Sequence, residues 1–162
     1  MSKTIKVALA GAGAFGIKHL DGIKHIDGVE VVSLISRELE KTKEVASKYG
    51  IQHVTTKLED SLALPEVDAV ILCTPTQMHA AQSIACLKAG KHVQVEIPLA
   101  DSWKDAESVV SLAKEKGLVA MCGHTRRFNP SHQYVHNKVK AGEFNMQQMD
   151  VQTYFFRRTN MN

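Results

Sequence analysis

This sequence predicts an α/β fold: a doubly wound parallel sheet, followed by the start of a second, α+β domain. Three observations carry that reading. β-rich apolar runs alternate with segments of helical period up to residue 123, and such alternation requires parallel strands joined by right-handed crossovers. The run at residues 68–73 is apolar on both faces, as a central parallel strand covered by helices must be. The first run ends in Gly11-Ala12-Gly13-Ala14-Phe15-Gly16, a G-x-G-x-x-G turn set between a strand and a helix.

The elements follow in order. Residues 5–10 form the first strand, and Phe15, Ile17, His19, Leu20, Ile23 and Ile26 fall mostly on one side of the helix behind the glycine turn. Residues 31–35 are the second strand. A polar helix over residues 38–49 turns Leu39, Val45, Ala46 and Tyr49 inward and stops at Gly50. Residues 51–54 make a short third strand, and residues 58–64 a short helix ended by Pro65. After the fourth strand at 68–73, a helix runs to Ala89 and stops at Gly90. The fifth strand is residues 92–96. Ser102 caps the next helix with Asp105 in a capping-box pattern, and Ala106, Val109, Val110 and Ala113 form its inward face up to Gly117. Residues 118–122 are the sixth strand. Beyond residue 124 the rhythm changes: Pro130 opens a helix carrying Tyr134, Val135 and Val139 to Gly142. Residues 146–156 then alternate in part, with Met149, Val151, Thr153 and Phe155 on one face of an expected strand. The domains are therefore 1–123 and 124–162.

Composition narrows the class. The 162 residues are 44% hydrophobic and 23% charged, enough to bury a real core. Twenty Lys and Arg against seventeen Asp and Glu leave a net charge of +3, which suits an anionic small molecule and is too weak to argue for nucleic acid. No apolar run reaches the roughly 18 residues of a membrane span. The first residues run straight into a strand, which predicts no signal peptide. Cys73, Cys86 and Cys122 are far apart and odd in number, as expected of reduced thiols in a cytoplasmic protein; no metal site is read from them.

The glycine turn carries the chemistry. Gly11 permits a tight turn, Gly13 lets a pyrophosphate approach the backbone, and Gly16 lets helix and strand pack closely. The helix N-terminus then faces the anion, with Ala14 and Phe15 in its first turn. At the end of the second strand, where an acid would bond both ribose hydroxyls of NAD, stand Ser36 and Arg37. An acid repels a 2′-phosphate and an arginine pairs with it, so NADP is expected, with NAD possible. Thr74, Pro75 and Thr76 follow the fourth strand; their hydroxyls can donate to phosphate or ribose, and Thr76 can instead cap the next helix. His79 either contacts the cofactor or stands on a helix face. Glu96, with Ile97 beside it, ends the fifth strand and can bond the ribose or nicotinamide side.

Four motifs together carry a family resemblance: Gly11 to Gly16, Thr74-Pro75 with His79, Glu96-x-Pro98-Leu99-Ala100, and Arg127-Phe128-Asn129-Pro130. In order and context they resemble the Gfo/Idh/MocA oxidoreductases. The resemblance implies a Rossmann domain binding NAD(P), then a second domain that binds substrate and forms a homo-oligomer. Longer runs, 71–79, 92–103, 123–134 and 148–158, resemble a member of that family that oxidises the cyclic hemiacetal of an aromatic ring-cleavage product, with NADP preferred. A small dicarboxylate substrate is thereby implied, which needs cationic anchors. Arg126 and Arg127 are the substrate-binding candidates, and His124 can orient substrate or act as a base, which makes His124 and Arg127 the catalytic candidates. Against this, Arg127 can simply brace a turn and His124 can be a loop histidine. Arg157 and Arg158 either reach substrate or are solvated.

Most of the family reads E-K-P, and its lysine assists proton transfer. Ile97 stands in that place and can neither give nor take a proton. Further polar positions of the family, commonly an Asp and a His, lie beyond residue 162, which predicts a chain inactive by itself. Two other readings stand beside this one: a sugar or inositol dehydrogenase of the same family, and an NADP(H)-binding chain without turnover. A third, an assembly domain, rests on the expected strand at 146–156, whose unpaired edge could join another chain.

Overall fold

The computed structural model describes residues 4–152 and 154. Six strands, β1 Ile5–Ala10, β2 Val29–Ile35, β3 His53–Thr55, β4 Ala69–Leu72, β5 His92–Val95 and β6 Ala120–Cys122, form one sheet in the order β3-β2-β1-β4-β5-β6. Every pairing is parallel. The chain winds outward from β1 to β3, then returns to the other side of β1 for β4 to β6. The reversal between β1 and β4 is the switch point where ligands bind sheets of this kind.

Register decides what stands at that point. Ala10 is level with Ile35 and Leu72, Leu72 with Val95, and Val95 with Cys122. The next residue on each of these strands therefore emerges at one edge: Gly11, Ser36, Cys73, Glu96 and Gly123. Four backbone hydrogen bonds extend the ladder past the strand ends, from Gly11 N to Ile35 O (2.7 Å), Cys73 N to Ala10 O (2.7 Å), Glu96 N to Leu72 O (3.0 Å) and Gly123 N to Val95 O (2.8 Å).

Helices cover both faces. They are α1 Ala14–Ile23, α2 Leu39–Tyr49, α3 Leu58–Leu62, α4 His79–Lys88 and α5 Trp103–Lys116. The strand period of two sorts the core between them. Val7 and Leu9 of β1 and Ile71 of β4 join Leu20 of α1 and Ala46 of α2; Ala8, Ala10, Val70 and Leu72 join Leu58 of α3, Leu87 of α4 and Val109 of α5. A buried polar chain ties α3 to the sheet, with Ser33 Oγ 2.7 Å from Ser61 Oγ and 2.8 Å from His53 Nδ1.

The terminators are local. Gly50 and Gly117 close α2 and α5 in the left-handed conformation. Ser102 Oγ accepts the Asp105 N–H at 3.1 Å, the expected cap. Three local expectations change. Leu39, expected to face inward on α2, is exposed. Val110 is 42% exposed, so the inward stripe of α5 is Val109 and Ala113, which face the sheet at the three-to-four spacing. Thr76 caps no helix: it begins a single 3-10 turn, Thr76–Met78, and α4 starts at His79 with no side-chain cap.

The chain divides into two units, residues 1–124 and residues 125–162. In the second, a 3-10 turn at Thr125–Phe128 precedes α6, Pro130–Lys140. Asn129 Oδ1 accepts the Ser131 N–H at 3.0 Å, and Pro130 occupies the first helical turn, where it has no N–H to leave unpaired. The expected strand at 146–156 does not form among the described residues: residues 146–152 and 154 hold no strand. Thr153, Phe155 and Phe156 lie outside the described residues. No helix among the described residues is long and apolar enough to cross a membrane.

Among the described residues one buried side-chain polar atom lacks a partner, the Oγ of Ser83 on α4, a residue wholly buried. Removing an unpaired hydroxyl removes a desolvation cost. Ser83→Ala is expected to leave unfolding free energy unchanged to within about 0.5 kcal/mol, or to raise it. A loss above about 1 kcal/mol in urea denaturation would show that the hydroxyl is paired in solution.

Candidate cofactor site

The glycine turn is fixed by backbone contact. Gly11 has φ +107°, and a Cβ on it would lie 2.4 Å from the Cys73 carbonyl oxygen. A Cβ on Gly16 would lie 1.8 Å from the Gly11 carbonyl oxygen. Gly13 differs: nothing lies within 4 Å of its Cβ position, so that side of the turn is open. Gly13 is the N-cap of α1, which has neither a side-chain cap nor an acid in its first turn. The first-turn N–H groups, those of Ala14, Phe15 and Gly16, thus have no intrahelical partner and form an anion site with the helix dipole behind it.

A cleft of about 820 Å³ opens beside this turn along the carboxyl ends of β1, β2 and β4. Gly11, Gly13, Ser36, Arg37, Thr74 and Pro75 of the sequence-derived set line it. Arg37 is exposed and makes no ion pair among the described residues. Its neighbour Glu38 is held below the usual carboxylate range, first by the hydrogen bond from Lys41 and then by that ammonium's charge, the two atoms standing 2.6 Å apart. Lys41 is thus the main partner of the acid next to Arg37, whose own charge acts on it more weakly.

The other candidates stand apart from this cleft. Phe15 is exposed, with Lys18 Nζ 5.1 Å from its ring centroid, and Ala14 is exposed beside it. Thr74, within the cleft, donates its hydroxyl to Gln82 Oε1 at 2.5 Å. His79 is the first residue of α4, on its buried side. It is 1% exposed, and its Nδ1 and Nε2 lie 2.7 Å from Pro98 O and 2.9 Å from Thr74 O. With both ring nitrogens engaged by backbone carbonyls, it straps the β4 loop to the β5 loop. The Ile97–Pro98 peptide in the second of those loops is cis, and Ile97 is half exposed.

Glu96 is gripped by a residue the sequence reading placed only among the inward positions of α1. His19 Nε2 lies 2.7 Å from Glu96 Oε1, both side chains less than a fifth exposed. The signal was present as a spacing: His19 is three residues past Gly16, on the same face of α1. His19, Cys73 and Glu96 bring nitrogen, sulfur and oxygen ligand atoms within 4.8 Å of one another. That donor set could hold a cation, but two of its members already bond each other. The Cys73 thiol is pushed up to about 12, chiefly by burial and then by the Glu96 charge, so it stands there as a neutral thiol. His124 closes the first unit, exposed, with its N–H on Cys122 O at 2.9 Å. Arg126 and Arg127 are exposed in the 3-10 turn of the second unit. Arg157 and Arg158 lie outside the described residues.

A glycine turn, an uncapped helix N-terminus and aligned strand ends at a switch point define a dinucleotide-binding domain, and comparison with known proteins gives its family. The profile described as an oxidoreductase family with an NAD-binding Rossmann fold matches residues 5–124, and one described as the C-terminal part of bacterial oxidoreductases matches residues 130–162. The chain belongs to the Gfo/Idh/MocA oxidoreductase family. It is 71% identical over 158 residues to the 4-carboxy-2-hydroxymuconate-6-semialdehyde dehydrogenase of a Sphingobium species, covering 98% of this chain and 50% of that one. It is 34% identical over 134 residues to the 1,5-anhydro-D-fructose reductase of Ensifer adhaerens, covering 83% of this chain and 40% of that one. The scyllo-inositol dehydrogenase of Lactobacillus casei, solved with NAD(H) and scyllo-inositol, superposes with a TM-score of 0.83 at 26% identity, over 87% of this chain and 42% of that one. The chain spans about half the length of the curated relatives it matches, or somewhat less.

Two outcomes are expected from this geometry. Gly16→Ala forces a methyl into the Gly11 carbonyl, so binding of any dinucleotide should fall at least tenfold in calorimetry, roughly the effect of losing one good hydrogen bond to an anion; retained affinity would mean that the turn relaxes freely. Cys86 is also pushed up to about 12 by burial, and Cys122 is raised by burial and then by Glu96. Raised thiols stay protonated at pH 8, so the native chain should react slowly with Ellman's reagent there, speed up only as pH climbs toward 12, and react at once when unfolded. The same shifts favour the folded state below pH 9.0, the ordinary thiol value, and that stability drains away as pH rises from there toward 12. Fast native labelling of Cys73 at pH 8 would contradict the burial argument.

Proposed function

We propose that this chain is the cofactor-binding half of an NADP-dependent dehydrogenase acting on the cyclic hemiacetal of 4-carboxy-2-hydroxymuconate-6-semialdehyde. The observation that carries the reading is the 71% identity to the Sphingobium dehydrogenase across 98% of the chain. The reaction it implies breaks the C–H bond of the hemiacetal carbon. The hydride passes with its electron pair to nicotinamide C4, the hydroxyl loses its proton, and the ring becomes the lactone 2-pyrone-4,6-dicarboxylate. When bound, the nicotinamide supplies the hydride acceptor.

The residues of this chain fit the nucleotide. Gly13 leaves a backbone surface that a pyrophosphate can reach, and the first-turn N–H groups of α1 would hold it. Arg37, at the end of β2, is the residue for a 2′-phosphate, while Ser36 beside it would bond the adenosine ribose. A full-length homo-oligomer and a dicarboxylate held by Arg126 and Arg127 belong to the same proposal. So does the role of His124 and Arg127 at the reacting carbon.

Titration calorimetry of the chain with NADP and NAD tests the cofactor assignment. NADP should bind at least tenfold more tightly, and Arg37→Ala should collapse that ratio toward one, about 1.4 kcal/mol for each factor of ten. An unchanged ratio in Arg37→Ala would refute the 2′-phosphate role. Turnover of the hemiacetal by the full-length protein, absent with a neutral polyol, tests the substrate.

A further inference from the structure

The β5 end holds a pair that the proposed reaction has not used. Glu96 emerges at the carboxyl edge of the sheet, one strand beyond β4, on the opposite side of the switch point from Arg37. Its carboxylate is confined from three directions. His19 Nε2 touches Oε1 at 2.7 Å, and the buried Gly123 lies so close that a Cβ there would be 3.4 Å from the same oxygen. The Cys73 sulfur completes the group within 4.8 Å. Ile97, next in the chain, is apolar and half exposed.

A carboxylate at this edge accepts hydrogen bonds and repels phosphate, so the complementary ligand group is a vicinal diol, which donates twice. In a dinucleotide laid across the switch point, one ribose falls at the β2 end and the other beyond β4. We propose that His19 is a positioning residue for the nicotinamide ribose: donating from Nε2 to Oε1, it fixes the Glu96 rotamer so that the carboxylate accepts from that diol. This rests on the cofactor reading above and adds a residue to it. His19 rises from the same face of α1 as Gly16. One helix therefore carries the phosphate site at its first turn and, a turn later, the group that orders Glu96. Ordering the carboxylate before the ligand arrives removes a rotamer cost from binding.

The test uses the chain with two probes. NADPH reports on the nicotinamide half through its own fluorescence, and adenosine 2′,5′-bisphosphate carries only the adenosine half. His19→Ala should weaken NADPH about tenfold, the scale of one charge-assisted hydrogen bond, and change its emission, while adenosine 2′,5′-bisphosphate stays within about twofold. His19→Gln keeps an N–H that can reach Oε1 and should restore most of the NADPH affinity and the emission. Equal weakening of both probes, unchanged NADPH binding, or no rescue by glutamine would each overturn the role of His19. A wild-type chain that binds neither probe would overturn the cofactor reading and this inference together. If Arg37→Ala left adenosine 2′,5′-bisphosphate unaffected while His19 behaved as expected, only the 2′-phosphate assignment would fall.

Discussion

The arrangement depends on a contact between backbones that leaves no room for a side chain. A Cβ at Gly16 would overlap the Gly11 carbonyl, and one at Gly11 would overlap the Cys73 carbonyl. Two consequences follow. The start of α1 is drawn against the end of β1, so its free N–H groups are aimed across the crevice instead of out to solvent. The β1 turn is also set directly against the end of β4, which fixes the two lips of the switch point relative to each other. Parallel register then brings Ser36, Cys73, Glu96 and Gly123 to the same edge without further instruction.

Charge is divided along that edge. At the β2 end stands Arg37, whose neighbouring acid Glu38 is bonded chiefly to Lys41. The glycine turn between is uncharged and offers only amide donors. Beyond β4 the charge is a carboxylate, held by an imidazole. A ligand with an anion at one end, phosphates in its middle and hydroxyl donors at the far end has one favourable direction on such a surface, and reversing it would set phosphate against Glu96. The strap from His79 to Pro98 O and Thr74 O keeps the two loops on the carboxylate side at constant separation, as the glycine contacts do on the other.

What is legible in the sequence is what local chemistry encodes. The glycine spacing, the Ser102 cap, the Gly50 and Gly117 stops and the apolar β4 run each state their structure within a few residues. The misread features are the ones that need a distant partner. Nothing local reveals that Pro98 O will meet the Nδ1 of His79, nineteen residues on. The His19–Glu96 pair is separated by 77 residues. Val110 lies one position from Val109, and a shift of one residue, about 100° around the helix, takes it off the buried stripe.

The chemistry at the β5 end limits what this edge can do. Ile97 cannot transfer a proton. The thiols of Cys73 and Cys122 are kept neutral by burial and by Glu96. His19 and Glu96 are committed to each other. The described groups at that edge are thus spent on holding and orienting, with little left over for accepting a proton from substrate. A domain built in this way gains by being rigid: its glycine contacts, its histidine strap and its bonded carboxylate all remove freedom that a bound dinucleotide would otherwise have to remove. Under the proposed reaction, the proton of the hemiacetal hydroxyl then falls to groups outside this edge, and the substitution of isoleucine in the E-x-P motif leaves orientation of the cofactor as the contribution of this edge.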